Sequence, residues 1–273
     1  MISNFEIQKY CNEILLPEKF DDYCPNGLQV EGVENVKRII SGVSANQDLI
    51  DIAVKKKADA IFVHHGIFWK NEPMIIAGHQ SQRIKRILAS NINLFAYHLP
   101  LDDHKELGNN IQLARTLGIS NPEPIPNSLI WTGEIDTNTL DEFSLLVEKK
   151  LGRSPQVFGN FKSRIKKIAW CTGGAQKYFH DAINLGVDLF ITGEISEQIP
   201  AMAKESGVSF IAAGHHATER YGVQALCQFL AEKFNLEHEY VEIPNDGHES
   251  IKITEAEEKS KNKLIDKLWC VVG

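Results

Sequence analysis

Short apolar runs alternate along this chain with segments whose apolar residues recur every three or four positions. The runs are brief and continuous, which predicts buried strands. The segments between them have the spacing of amphipathic helices, and the longest follows Gly214. Repeated alternation of strand and helix is typical of α/β proteins with mostly parallel sheets. The predicted strands are 36–43, 60–63, 92–97, 129–135, 165–171, 187–192, 208–213 and 238–243; the predicted helices are one after Ser3 and those at 46–57, 81–90, 109–117, 139–151, 176–186, 196–206 and 216–234.

Two stretches interrupt this alternation. The segment 121–127 is the most proline-dense part of the chain and is the best candidate for a linker. It predicts a first α/β domain at 1–124 and a second at 125–244, followed by a C-terminal tail at 245–273 whose charged composition predicts a solvated helix or disorder. The turn-rich stretch 22–32 is predicted to be a loop or a simple hairpin without a chemical role.

The two predicted domains carry matching patterns. Aligning 59–65 with 188–194 superimposes two apolar runs that each follow an aspartate. A second alignment places the spacing His-x-x-x-Asp at 98–102 on the spacing His-x-x-x-Glu at 215–219. The match predicts an internal duplication, in which two similar halves pack face to face and the ends of their strands converge on one cleft.

The composition indicates a globular protein and argues against nucleic-acid-binding and membrane-spanning classes. The chain has 273 residues, of which 43% are hydrophobic and 24% charged, an ordinary globular balance. Its net charge of -7 argues against a nonspecific nucleic-acid binder, which usually carries a basic face. No apolar run approaches the roughly 18 residues of a membrane helix. The five cysteines form no Cys-x-x-Cys pair, which indicates reduced thiols in a cytoplasmic protein and a metal site built from nitrogen and oxygen.

Histidines and carboxylates follow several of the predicted strands. The strand at 60–63 runs into two histidines, and those at 92–97 and 208–213 are each followed by a histidine and a carboxylate four residues apart. Because parallel strands end at one edge of a sheet, we expect these groups to meet. Such a set suits zinc, iron or manganese, and it could hold two ions about 3.5–4 Å apart that share a carboxylate. The residues are His64, His65, His98, Asp102, Glu194, His215 and Glu219.

Several of these residues lie in motifs that resemble a known family, the GTP cyclohydrolase 1 type 2 homologues, or Nif-three-like dinuclear-metal proteins, in their short bacterial form. Together the motifs run in the family's order from about residue 20 to 244. They are Pro25-Asn26-Gly27-Leu28-Gln29-Val30-Glu31-Gly32, Val63-His64-His65-Gly66, His98-Leu99-Pro100-Leu101-Asp102, Leu107-Gly108-Asn109-Asn110, Trp170-Cys171-Thr172-Gly173-Gly174, Ile191-Thr192-Gly193-Glu194 and Gly214-His215-His216-Ala217-Thr218-Glu219-Arg220.

The resemblance implies two similar, interlocked α/β domains and a ring-shaped homohexamer whose metal sites face an internal cavity. It also implies a hydrolase that opens the imidazole ring of GTP. Glu219 would be the ligand shared by both ions, and His98 and Glu194 would lie near the site without being ligands. The implied metal ligands are His64, His65, Asp102, His215 and Glu219.

Two functions follow from these patterns. The first is a metal-dependent hydrolase of a nucleotide or similar small polar substrate, in which His98 or Glu194 carries the proton, since neither completes the ligand set. The second is a non-catalytic ring for metal storage, metal delivery or scaffolding. The surplus of titratable groups at the strand ends favours the hydrolase, whereas the absence of a clear phosphate-binding loop favours the second function.

Overall fold

The computed structural model describes residues 2–69 and 75–245. The predicted tail, 245–273, lies outside the described residues except for Asn245. Within the described residues the chain forms an α/β fold with two sheets of five and six strands and one two-stranded ribbon. The strands are β1 (Ile2–Ser3), β2 (Gly27–Val30), β3 (Asn35–Val36), β4 (Arg38–Ser44), β5 (Ala60–His65), β6 (Asn93–Ala96), β7 (Ser120–Pro124), β8 (Trp131–Thr139), β9 (Gln156–Phe158), β10 (Arg164–Trp170), β11 (Leu189–Thr192), β12 (Ser209–Ala212) and β13 (Glu237–Tyr240).

Apart from a short helix at Leu99–Asp103 that was not predicted, the described helices fall where the apolar spacing predicts them, within a few residues. Two begin with capping boxes, Ser3 with Glu6 and Thr139 with Glu142, in which each side chain binds the other's backbone N–H. Among the described helices, none combines the length and the apolar character needed to cross a bilayer. They are α1 (Asn4–Leu15), α2 (Gln47–Lys55), α3 (Gly78–Ala89), α4 (Leu99–Asp103), α5 (Asn109–Leu117), α6 (Leu140–Leu151), α7 (Phe179–Asn184), α8 (Ile199–Ser206) and α9 (His215–Phe234), with 3-10 turns at Pro17–Lys19 and Gln176–Tyr178.

The first sheet has the strand order β13-β4-β5-β6-β2 and is parallel except for its edge strand β2. Helices α2 and α3 cover one face, and α1 and α9 cover the other. All six residues of β5 are buried, as expected for a strand covered on both sides. Both α9 and β13 come from the last third of the chain. The second predicted domain therefore contributes a strand to the first sheet and a helix that covers one of its faces.

The second sheet, in the order β7-β8-β10-β11-β12-β9, departs from the prediction of mostly parallel sheets. Only β10, β11 and β12 are parallel neighbours, and its other three pairings are antiparallel. Helices α5 and α6 pack on one face around Trp131 and Trp170, and α7 and α8 pack on the other around Phe190 and Phe210. The α/β class is therefore confirmed, and the second sheet is mixed.

Two local predictions were wrong. The predicted linker at 121–127 overlaps β7, an edge strand that pairs with β8. An edge strand tolerates prolines because one side of its backbone needs no ladder hydrogen bonds. The stretch 22–32, predicted to be a loop or a simple hairpin, contains β2, which pairs antiparallel with the distant strand β6. The division of the chain at residue 124 stays a prediction.

The two sheets share one local pattern of hydrogen bonds. Asp59, just before β5, accepts the backbone N–H groups of Lys37 and Arg38 through Oδ2, at 2.8 and 2.9 Å. Asp188, just before β11, accepts the corresponding N–H groups at 166 and 167 through its own Oδ2, at 2.9 and 2.8 Å. The bonds follow the alignment of 59–65 with 188–194, and the internal duplication stays a prediction that they support.

Candidate metal centre

Strand β5 ends in two adjacent buried histidines, and both rings reach the same cluster. The strand continues through His65, where a regular pleat would place neighbouring side chains on opposite faces. The ring centroids of His64 and His65 are nevertheless only 4.6 Å apart. Nδ1 of His64 lies 3.0 Å from the carbonyl oxygen of Tyr97, and Nδ1 of His65 lies 3.0 Å from Oγ of Ser44. Both rings are thereby fixed through Nδ1.

His215 and Glu219 lie on the first turn of α9, four residues apart, as their spacing predicts. Nε2 of His215 is 2.9 Å from Oε2 of Glu219. Nδ1 of His215 is 2.7 Å from Oε1 of Glu194, the residue that follows β11 by two positions. Glu194 therefore orients His215 in the way that outer carboxylates orient metal-binding histidines.

Asp102 reaches the cluster from α4. Its side chain is buried, and its Oδ1 lies 3.5 Å from Nε2 of His64. Two donors hold the carboxylate: Nδ2 of Asn109 at 2.8 Å and Oγ1 of Thr172 at 3.2 Å. Thr172 follows β10, so a residue at the end of a strand of the second sheet helps to fix this side chain on α4.

Glu219 lies at the middle of the cluster, with a side chain only 3% exposed. Its Oε1 is 3.5 Å from Nε2 of His64, and its Oε2 is 3.2 Å from Nε2 of His65. Two triads therefore share Glu219, and within each the ligand atoms lie within 4.8 Å of one another: His64 with Asp102, and His65 with His215. Either triad could hold a metal ion.

The unsatisfied atoms of the cluster fit a metal ion. Nε2 of His64 and Oε2 of Glu219 are buried, and neither makes a hydrogen bond of good geometry with any described residue. Buried polar atoms are normally paired, so convergence of such atoms on one point fits the binding of a cation. The donors are imidazole nitrogen and carboxylate oxygen, which suit zinc, iron and manganese.

Burial and charge pull the pKa values in this cluster apart. Burial opposes protonation of His64, but the charges of Asp102 and Glu219 outweigh it and raise its pKa to about 9. Burial also opposes protonation of His215, but Glu219 and Glu194 outweigh it and raise the pKa of His215 to about 11.

The pKa values of the other residues in the cluster shift in different directions. Burial lowers the pKa of His65 to about 3. Burial raises the pKa of Asp102, whereas the three surrounding histidines, led by His215, hold the pKa of Glu219 well below its ordinary value despite burial. At neutral pH the metal-free cluster therefore stores protons on His64 and His215 that balance the carboxylates.

His98 lies beside the cluster, with its ring centroid 5.0 Å from that of His64 and 5.7 Å from that of His65. Its Nδ1 is 2.9 Å from Oδ1 of Asp22. Asp22 was not among the predicted site residues, because the stretch 22–32 was interpreted as a loop or a simple hairpin without a chemical role. Only the position of Asp22, three residues before the Pro25 motif, could have drawn attention to it.

A cavity of about 650 Å³ opens onto the cluster. This size lies within the usual range for small-molecule sites. The cavity is lined by members of both triads, and by His98 and Glu194 as well. The structure thus brings all seven residues singled out from the sequence to one place.

The fold and the cluster define an α/β protein with a buried histidine–carboxylate site able to hold a metal ion. Comparison with known families agrees: the profile of Duf34/NIF3 (NGG1p interacting factor 3) matches residues 3–246. The chain belongs to the Duf34/NIF3 family.

Individual relatives extend this result. A Yersinia pestis protein named GTP cyclohydrolase 1 type 2 homolog is 50% identical over 245 residues, covering 89% of this chain and 98% of its own. The solved structure of protein ybgI, described as of unknown function, has a TM-score of 0.85 at 46% identity and covers 89% of this chain and 99% of that chain. The crystal structure of TTHA1606 from Thermus thermophilus has a TM-score of 0.83 at 31% identity, with 89% and 99% covered.

Gly173 leaves room for Glu219, and we expect Gly173→Ala to weaken metal binding by about tenfold or more, as for other disruptions next to metal ligands. A methyl group at this position would overlap Oε1 of Glu219. The matched control is Gly186→Ala, because Gly186 has a similar φ of +63° against +68° but open space around it.

Both alanines carry the same backbone strain, about 1–2 kcal/mol. Isothermal titration with Mn²⁺ separates that strain from crowding of the site. Equal affinities in the two variants would show that Gly173 has no special relation to Glu219.

Proposed function

We propose that this protein is a metal-dependent hydrolase that acts on a nucleotide or a similar compact polar substrate at a dinuclear centre. The observation that carries the proposal is the pair of ligand triads sharing Glu219 beside a cavity of about 650 Å³. A purely structural metal site needs only its ligands and a closed shell, whereas this cluster opens onto a space large enough for a small molecule.

In this proposal one ion would be held by His64, Asp102 and Glu219, and the other by His65, His215 and Glu219. Divalent zinc, iron or manganese bound there would polarise the bond under attack and activate water. The chain supplies the remaining functions. Nδ1 of each ligand histidine is held from outside the cluster, so the rings stay aligned when substrate enters.

We assign proton transfer to His98 in preference to Glu194. Oε1 of Glu194 already accepts a hydrogen bond from Nδ1 of His215, which makes positioning of that ring its first role. The ring of His98 contacts Asp22 through Nδ1, and its side chain is 13% exposed at the cavity. An imidazole in this position is the usual carrier of protons near neutral pH.

The substrate class rests on the relatives and on the cavity. Several relatives at 46–50% identity carry the name GTP cyclohydrolase 1 type 2 homolog, so GTP is the first compound to test. As the resemblance implies, we also propose that the sites face the interior of a homohexameric ring. An interior cavity admits a nucleotide more readily than a large polymer.

The test incubates metal-loaded protein with a panel of nucleotides, GTP first, beside His98→Ala and Glu194→Ala. Turnover that is lost in a variant with unchanged metal content, measured by elemental analysis, supports the hydrolase. Equal turnover in every variant, or none on any nucleotide, would overturn it. In that case metal storage, delivery or scaffolding becomes the better description.

We expect the affinity for Mn²⁺ to rise with pH between 6 and 9. His64 and His215 have raised pKa values of about 9 and 11, so both carry a proton in the metal-free site and must lose it when an ion binds. His65, with a pKa of about 3, releases none.

Each released proton strengthens binding by about tenfold per pH unit. Titration calorimetry in buffers of different ionisation enthalpy measures the protons released directly. An affinity that does not change between pH 6 and 8 would show that the two histidines are unprotonated in the metal-free site.

A further inference from the structure

Nitrogen groups that can donate a hydrogen bond surround the carboxylate of Asp22. The side chain is only 3% exposed. Oδ1 lies 2.9 Å from Nδ1 of His98, and Oδ2 accepts the backbone N–H of Leu99 at 3.0 Å and Nδ2 of Asn26 at 3.0 Å. An ionised carboxylate only accepts hydrogen bonds. Although burial acts in the opposite direction, the hydrogen bonds from His98, Asn26 and the backbone of Leu99 hold the pKa of Asp22 below its ordinary value.

The same group of residues fixes His98 in place. Oδ1 of Asn26 accepts the backbone N–H of His98 at 2.7 Å. The ring of Tyr23 packs edge-on against the imidazole, with centroids 4.9 Å apart. Backbone, ring face and Nδ1 of His98 are therefore all held by the segment before β2, and the imidazole has little freedom to turn.

The ring of His98 lies beside the metal cluster. One ring nitrogen each of His64, His65 and His98 lies within 4.8 Å of the others. Nδ1 of His98 is taken by Asp22, and Nε2 makes no hydrogen bond with any described residue. With an acceptor fixed on Nδ1, the neutral imidazole carries its hydrogen there and its lone pair on Nε2.

We propose that Asp22 is a positioning residue that fixes His98 as the Nδ1-protonated tautomer and so presents an unprotonated Nε2 to the metal cluster. The consequence for proton transfer rests on the proposed hydrolase function, whereas the tautomer itself does not. An aspartate that holds a catalytic histidine through Nδ1 has this same effect in serine proteases.

A third metal site is a weaker interpretation of the same residues. Asp22, Cys24 and His98 each have a ligand atom within 4.8 Å of the others. The Asp22 oxygens are already occupied by donors, however. Burial also raises the pKa of the Cys24 thiol to about 12, so at neutral pH it is not the thiolate that binds metals.

Asp22→Asn tests the tautomer with almost no change of shape. The backbone N–H of Leu99 and Nδ2 of Asn26 both need an acceptor, so the single oxygen of the new amide should face them. Its NH₂ group then faces Nδ1 of His98, which must accept. The hydrogen of the imidazole is thereby moved to Nε2, toward the cluster.

The measurement is two-dimensional ¹⁵N–¹H NMR of the zinc-loaded full chain labelled at histidine, with His98→Gln used to assign the ring signals. We expect Nδ1–H in the wild type and Nε2–H in Asp22→Asn. Asp21→Asn is the matched control, because it removes the same charge one residue away from an exposed side chain and should leave the tautomer unchanged.

Finding Nε2–H or a doubly protonated His98 in the wild type at pH 7.5 would overturn the proposal. The wild-type spectrum decides this even if a variant folds poorly. Where the wild type turns over a nucleotide, we expect Asp22→Asn to lower kcat by about 10²–10⁴-fold with metal content unchanged.

An inverted tautomer with unchanged kcat would overturn the role of Asp22 in catalysis. If the wild type hydrolyses no nucleotide, the hydrolase proposal fails, and the NMR result still decides whether Asp22 sets the tautomer.

Discussion

Glu219→Gln should leave the purified protein without bound metal. Oε1 of Glu219 faces His64 and Oε2 faces His65 and His215, so this one carboxylate belongs to both triads. The amide removes the negative charge and directs an NH₂ group at one of the converging ring nitrogens. We expect at least the roughly 100-fold loss of affinity seen when partners outside the ligand shell are changed.

Loss of the other proposed ligands should affect only one of the two proposed ions. Asp102 belongs to the triad with His64, and His215 belongs to the triad with His65. We therefore expect Asp102→Asn and His215→Ala each to keep one of two ions, whereas Glu219→Gln keeps neither. Mass spectrometry of metals in the purified variants gives the stoichiometry.

The control for the loss of a carboxylate is Glu205→Gln on α8, where the side chain is exposed. It should retain the metal content of the wild type. Full metal content in Glu219→Gln would refute the shared ligand, and loss of both ions in Asp102→Asn would refute the division into two triads.

The convergence of the cluster could be predicted because it depends on rules of chain topology. Parallel strands that alternate with helices end at one edge of a sheet, so His64 at the end of β5 and His215 after β12 were each expected at such an edge. The predicted face-to-face packing of two similar halves was expected to bring these strand ends together in one cleft. The His-x-x-x-Glu spacing depends only on helical periodicity, and α9 begins at His215 as required. The sequence therefore predicted which residues meet.

The partners outside the cluster could not be predicted in the same way. The Nδ1 partner of His64 is the backbone carbonyl of Tyr97, a group that every residue possesses. Asp22 lies 76 residues from His98 in the chain, and no local spacing links them. β7 was missed because prolines usually indicate a linker, and their tolerance at a sheet edge depends on strand order.

Asn109 lies outside the ligand set, and its loss should destabilise the fold because it connects the metal cluster to α9. It is fully buried at the start of α5. Its Nδ2 donates to Oδ1 of Asp102 at 2.8 Å, and its Oδ1 accepts the backbone N–H of Gly222 at 2.7 Å. One side chain thus joins a candidate ligand on α4 to the helix that carries two others.

Asn109→Leu should therefore lower the free energy of unfolding by about 2–4 kcal/mol, the sum expected for one hydrogen bond to a charged group and one to a neutral group. Urea unfolding of the metal-free protein, followed by circular dichroism, measures this without the contribution of bound ions. Asn184→Leu on α7 is the control: that side chain is exposed, and the change should stay within about 0.5 kcal/mol. If the two variants unfold at the same urea concentration, Asn109 does not connect the metal cluster to α9 in the way its hydrogen bonds indicate.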